Sequence, residues 1–298
     1  MNMAHFDHLK PEIAETLTWT TEDRIYFAQQ NHWISYPRAK EIMTRLEDQL
    51  AHPRVQRMPN TLLVGESGNG KSTLIDRFRE KHPVKILPSG EPLAPVIVME
   101  MPSEPNEGRF WTELLLSLKI AHRDTDPVQR KENQAISVLT YVQARMLIID
   151  EIHNVLHGSA RQQRHFLGML KRLSNKLQLP LVAVGTRDSI LALHTDTQLS
   201  SRFEPLALPR WQLDVSFLRL LASFERLLPL AEPSQLSSQD IAIKLHSMSG
   251  GTIGGVATVL KRATVKAIRD GKEHIDAKLL DNIGWVKLSD YGKEALKL

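Results

Sequence analysis

Short, continuously apolar runs alternate with longer helical patterns through the first two thirds of this chain. Thr61-Leu-Leu-Val64, Pro95-Val-Ile-Val-Met-Glu-Met101, Met146-Leu-Ile-Ile149 and Leu181-Val-Ala-Val184 have the length and composition of strands buried on both faces of a parallel sheet. Pro205-Leu-Ala-Leu-Pro209 supplies a fifth run. Such alternation predicts an open α/β sheet with flanking helices. From Gln212 onward the strand signal stops, and helices are expected near 213–228, 237–248, 254–269 and 276–285, broken at Pro229, Pro233, Gly250-Gly251 and Gly271. That third reads as a small helical lid. Upstream, the chain to about Gln30 is polar and weakly periodic, and His32-Trp-Ile-Ser-Tyr-Pro37 leads into a helix with Ile42, Leu46 and Leu50 on its apolar face. The expected organisation is an arm and helix over 1–50 packed against an α/β domain over 51–211, with the lid over 212–298.

The chemistry sits at strand ends. Gly65-Glu-Ser-Gly-Asn-Gly-Lys-Ser72 is the GxxxxGK[ST] phosphate loop, and it lies where the motif must lie, between an apolar run and a helix-like run that starts at Thr73. Residues Gly65, Glu66, Ser67, Gly68, Asn69, Gly70, Lys71, Ser72 and Thr73 are the expected nucleotide contacts. The glycines let backbone amides turn inward on phosphate oxygens, and the following helix points its positive end at the same anion. Lys71 would bridge the outer phosphates of ATP and Ser72 would take one position on Mg2+, with Thr73 a lesser candidate. Four apolar residues then carry Asp150-Glu151 to a strand tip, where α/β sheets bind ligands. Asp150 is expected to hold the magnesium through water, and Glu151 to polarise the attacking water. After the fourth strand, Thr186 is a candidate γ-phosphate sensor; a hydroxyl that caps the strand end is the alternative. Arg202, in Leu199-Ser-Ser-Arg-Phe203, is either an arginine finger for a neighbouring subunit or a surface charge.

With no cysteine in 298 residues, disulfide frameworks, thiolate metal sites and cysteine nucleophiles are excluded. The N-terminus lacks the charge-then-apolar pattern of an export signal, and no eighteen-residue apolar span occurs, so a cytoplasmic protein with no membrane partner is expected. The net charge of +4 is compatible with a polyanionic partner. Its distribution says more: Ile152 to Arg187 holds no acid but six lysines and arginines. Within it a helix from Ala160 to Leu177 turns Phe166, Leu170, Leu173 and Leu177 to one side, leaving Arg161, Arg164 and Lys171 as candidate DNA contacts or a plain solvated face. Arg109, Lys119 and Arg123 are the rival set. His153 and His157 are four apart, yet Asn154 stands where a zinc-protease helix has glutamate. Trp33, Trp111 and Trp211 read as packing anchors.

Phosphate loop, Asp150-Glu151, Thr186 and Ser201-Arg202-Phe203 together resemble the AAA+ ATPases. More narrowly, His32-Trp-Ile-Ser-Tyr-Pro37, Arg57-Met-Pro-Asn60 and Leu147-Ile-Ile-Asp-Glu-Ile-His-Asn154 resemble the TniB family over roughly residues 30 to 265. Its members are transposon-encoded ATPases similar to the TnsC regulators of Tn7-like elements and more distantly to MuB. The resemblance implies an AAA+ fold, self-association into rings or helical filaments on double-stranded DNA, target selection, and recruitment of a DDE transposase, with an adaptor of the TniQ type as a further partner and hydrolysis dismantling the assembly. It also implies that Arg109, Lys119 and Arg123 lie where insertions line the channel of related rings. One departure stands out. AAA+ lids often carry a sensor arginine after a Gly-rich helix start, and Ser249-Gly-Gly-Thr-Ile-Gly-Gly-Val256 has none, with Lys261 and Arg262 two turns later. The rival functions are a helicase or clamp loader on the same fold, and a nucleotide-gated scaffold that does not act on DNA.

Overall fold

A computed structural model describes residues 6–194 and 201–285. Its Cα positions divide into two units, Pro37–Pro209 and a second made of the chain before Pro37 with the chain from Arg210 onward.

In the first unit, strands β1 (Asn60–Gly65), β4 (Val96–Glu100), β5 (Met146–Asp150), β6 (Leu181–Gly185) and β7 (Phe203–Leu208) form one sheet in the order β4-β5-β6-β1-β7. Every pairing is parallel, with Thr61 opposite Val182 and Asn60 opposite Phe203. The apolar runs become strands because helices cover both faces, so neither side of the central strands needs a polar residue. The covering helices are α3 (Pro37–Ala51), α4 (Lys71–Lys81), α5 (Glu107–Ser117), α6 (Val128–Tyr141), α7 (Ala160–Leu177) and α8 (Asp188–His194). Phe110, Trp111, Phe166 and Leu170 pack with Leu147, Ile149 and Ala183 in one core, and Trp111 is an anchor there as its size suggests. Pro205 sits in β7, an edge strand, where a missing amide leaves no gap in a central ladder. A two-residue hairpin, β2 (Lys85–Ile86) with β3 (Pro92–Leu93), is too short to leave a periodic signal.

The second unit is helical. Here α1 (Pro11–Ala14) and α2 (Thr21–Gln29) accompany α9 (Val215–Glu225), α10 (Gln239–Ser249), α11 (Ile253–Arg269) and α12 (Ala277–Asp281). The four lid helices expected from the sequence are present, the last ending at Asp281 and not at 285; residues 286–298 of the expected lid, like 1–5 of the arm, lie outside the described residues.

The arm differs from expectation. Leu9, Ile13 and Ile34 are buried with Phe217, Leu245, Val259 and Leu260 in the core of the helical unit, whereas α3 belongs to the α/β unit. A boundary at residue 50 therefore does not match the division of the chain. The reason is that α2 has no apolar stripe to read: Ala28 is buried and Ile25 and Phe27 pack partly against the helical core, and polar contacts add to them. Arg24 donates both guanidinium nitrogens to Glu273, at 3.0 and 2.5 Å, and Nη2 also reaches the Pro229 carbonyl at 2.7 Å. Lys261 donates to the Gln29 carbonyl at 2.8 Å and to Asn31 at 2.7 Å, and burial among these neutral partners lowers its pKa. Arg262 lies over the Trp285 ring, 5.2 Å from its centroid. The Gly-rich helix start serves packing: Gly251 has φ +70, and a Cβ there would stand 2.7 Å from the Trp211 carbonyl oxygen.

Burial alone raises the pKa of Glu273, but the Arg24 hydrogen bond and the Ala231 amide outweigh it and hold the carboxyl below its ordinary value. A depressed carboxyl stabilises the fold above its unfolded pKa and loses that contribution as pH falls through the folded one. Arg24→Ala should therefore cost the helical unit about 2 kcal/mol at neutral pH, and the difference should shrink in acid. Urea unfolding of parent and variant at both pH values checks this.

Candidate nucleotide site

The phosphate loop joins β1 to α4. Gly68 and Gly70 take φ of 71 and 86, a left-handed backbone that turns successive amides to one side and favours glycine. At Gly65 close approach is the constraint: a Cβ would lie 3.0 Å from Leu208 Cβ and 3.1 Å from its carbonyl oxygen. Asn69 is buried and bridges the loop to β7, its amide donating to the carbonyls of Leu208 and Pro209 at 2.8 Å each. Lys71 is only 7% exposed, and its ammonium donates to the carbonyls of Gly65 at 2.9 Å and Glu66 at 3.1 Å. A buried cation bonded to neutral carbonyls, beside the orphan amides of a helix start, favours an anion.

Two strands away, β5 delivers Asp150, and the Ser72 hydroxyl donates to its Oδ2 at 3.1 Å. Parallel register brings the ends of β1, β6 and β5 to one edge, which is how residues distant in sequence meet. This hydroxyl–carboxylate pair has the oxygen donors that would suit a hard divalent cation. Among the described residues no cluster of three histidines, aspartates or glutamates competes for a metal. Glu151 follows in a left-handed backbone, φ 55, unusual for a residue with a side chain and common at functional sites. Its Oε2 lies 3.0 Å from His153 Nδ1. His157 instead sits on the Ser103 carbonyl at 2.9 Å, because Ile152–His157 is a 3₁₀ turn in which residues four apart do not align.

Thr186 directly follows β6, between the β1 and β5 tips, and is half-buried. Arg187, which the sequence counts only toward a positive field, reaches Glu66 of the phosphate loop, Nε to Oε1 at 3.1 Å. Nothing in the local sequence links these two residues; the parallel crossing of β1 and β6 does. Ser67, Ser72 and Thr73 are exposed at the loop and the helix start.

Arg202 is elsewhere. Its carbonyl accepts from the Asn60 amide at 2.9 Å and its Nη1 donates to Asn175 at 2.8 Å, placing it at the start of β7 while the phosphate loop leaves the end of β1. Five residue steps of strand separate those ends, roughly 16 Å. Leu199 and Ser200 of the finger segment lie outside the described residues.

The six basic candidates fall in three places. Arg161 and Arg164 line a surface depression of 810 Å3 with Asn106, Gly108 and Val128, so the starts of α5, α6 and α7 converge there. Arg109 is exposed on the same first turn of α5, 3.5 Å from Glu104. Lys171 is half-buried farther along α7. Lys119 follows the other end of α5, and the Arg123 amide donates to Asp126, lowering the pKa of that carboxyl. Neighbouring Glu107 is shared by His165 and Arg172, at 3.4 and 3.1 Å.

A phosphate loop and an Asp-Glu strand tip in a parallel sheet of this order define an AAA+ P-loop ATPase. The comparisons narrow the class: residues 24–213 match the model of the bacterial TniB protein, and the chain belongs to that family. No curated protein gives a significant match. Among solved structures it is similar to the ORC2 protein of Aeropyrum pernix in ADPNP-ADP complexes, at 16% identity over 91% of this chain and 74% of that one, with a TM-score of 0.62. It is also similar to A. pernix ORC1 in complex with DNA, at 13% identity over 87% and 68%, TM-score 0.57. The RuvB Holliday junction branch migration motor of Thermotoga maritima matches at 15% identity over 91% and 78%, TM-score 0.53. At such identities the likeness is one of fold.

Removing the buried ammonium should empty the site. Lys71→Ala is expected to weaken ATP binding at least a hundredfold, about 2.7 kcal/mol, with the fold intact; titration of a fluorescent ATP analogue, with circular dichroism alongside, measures both.

Proposed function

We propose that this chain is an ATP-dependent, DNA-binding regulator of transposition. With ATP it assembles on double-stranded DNA, marks the target, and recruits or activates a DDE transposase, with an adaptor of the TniQ type as a further partner; hydrolysis then dismantles the assembly. The observation that carries this reading is the position of Arg202. Held roughly 16 Å along the strands from its own phosphate loop, it serves ATP only if a neighbouring subunit presents a loop to it, so turnover requires assembly. Contacts that repeat head to tail generate either a ring or a helical filament.

Within one site, Lys71 and the loop amides bind and orient the outer phosphates, while Glu151 takes the proton of the attacking water. Ser72 and Asp150 are the residues that would hold Mg2+, which when bound would supply charge neutralisation on the phosphate oxygens. Thr186 senses the γ-phosphate from the intervening strand. For DNA, Arg161, Arg164 and Arg109 stand at the convergent starts of three helices, where side-chain charge and helix ends attract phosphates without reading sequence. Lys119, Arg123 and Lys171 are secondary contacts. Target choice then rests on partners or DNA shape. The TniB family assignment supports transposition as the setting, and the similar A. pernix ORC1 is in complex with DNA.

Glu151→Gln should bind ATP with parental affinity, lose turnover at least a hundredfold and remain on DNA after free ATP is removed. Arg161→Ala with Arg164→Ala should lower the slope of log affinity against log salt by about 2. Electron microscopy on linear duplex with ATP, a slowly hydrolysed analogue or ADP tests the whole reading. Nucleotide-dependent rings or filaments support it, whereas ATP turnover without assembly on DNA would move the protein to a loader or a scaffold.

A further inference from the structure

Several irregularities meet beside Glu151. The Glu151 backbone is left-handed, φ 55, and its carboxylate is half-exposed with Oε2 3.0 Å from His153 Nδ1, outside hydrogen-bonding direction. That Nδ1 is buried and makes no hydrogen bond. The Ser189 hydroxyl, fully buried on α8, makes none either. Both border Gly185, the last residue of β6: a Cβ there would stand 2.1 Å from Ser189 Oγ and 3.4 Å from His153 Nδ1. Gly185 has no left-handed backbone to explain it. Its bare Cα leaves room for the Ser189 hydroxyl, and the imidazole edge lies in ordinary contact distance beside it.

Buried polar atoms without partners are uncommon, and each points to something that completes it. Catalytic hydrogen bonds are often misaligned before substrate binds and tighten in the complex. We propose that His153 is a positioning residue for Glu151. With the proton on Nδ1 the imidazole donates to Oε2, fixing a carboxylate that the left-handed backbone projects toward solvent, and leaves Oε1 to accept the proton of the attacking water. Gly185, with Ser189 packed against it, borders the ring at the tip of β6. Because they belong to the end of β6 and the helix after it, the segment that carries Thr186 also sets the stance of the base. The inference rests on the reading of Glu151 as that base.

The test is steady-state ATP turnover by the full-length protein on duplex DNA, together with the dissociation constant for the ATP analogue. His153→Ala should lower kcat ten- to fiftyfold while KM and the dissociation constant stay within twofold. His153→Asn, whose amide N–H stands near the place of Nδ1–H, should recover turnover to within fivefold of the parent, and it keeps the test available if the alanine variant does not fold. In a Glu151→Gln background, removing His153 should cause no further loss, since its effect runs through the carboxylate. Turnover within twofold of the parent for His153→Ala, no recovery with asparagine, or an equal loss in the Glu151→Gln background would overturn the proposal. Parental turnover by Glu151→Gln alone would instead remove the base assignment beneath it.

Discussion

The nucleotide unit depends on one buried cation. Lys71 is withdrawn from water at the mouth of a parallel sheet and donates to two backbone carbonyls, an arrangement that is costly unless an anion arrives. Much of the surrounding structure keeps that geometry in place. Gly65 admits β7 closely, Asn69 ties the loop to the Leu208 and Pro209 carbonyls, and the left-handed Gly68 and Gly70 turn the amides toward the same point. The parallel register then places Asp150 against Ser72. A triphosphate would satisfy the ammonium, the amides and the helix end together.

The sheet was legible in the sequence because its strands are buried on both faces and so read as unbroken apolar runs. The phosphate loop and Asp150-Glu151 were legible because their residue types are dictated by phosphate and metal chemistry and their place by strand ends. Other features were not. The placement of residues 6–36 with the helical unit rests on scattered apolar residues such as Leu9, Ile13 and Ile34 and on Arg24–Glu273 and Lys261–Asn31, polar pairs up to 249 residues apart that leave no periodic trace. The contact of Arg187 with Glu66 and that of His153 with Glu151 likewise arise from strand order and an irregular turn. The Gly-rich start of α11 looked like a sensor segment lacking its arginine; the structure accounts for Gly251 by the closeness of the Trp211 carbonyl.

The proposed function follows from what a single chain would not complete by itself. In the proposed function, the phosphate loop and Glu151 at one end of the sheet would bind and attack a triphosphate, and Arg202 at the other end would meet only a neighbour's triphosphate. On that proposal, the polarity of a parallel sheet is enough to couple nucleotide state to assembly. Under the same proposal, Arg161 and Arg164, beside the starts of α5 and α6, would repeat once per subunit, and an assembly would multiply weak phosphate contacts into avid binding.

Subunit mixing tests the central claim of a shared site most directly. Arg202→Ala retains loop and base but lacks the finger, while Glu151→Gln retains the finger but lacks the base. Each alone should turn over ATP at a few per cent of the parental rate or less. Mixed in equal amounts on DNA, they should recover roughly a quarter of it, as random neighbours assemble one complete interface in four. A mixture no faster than its separate components, or an Arg202→Ala protein as active as the parent, would contradict the account.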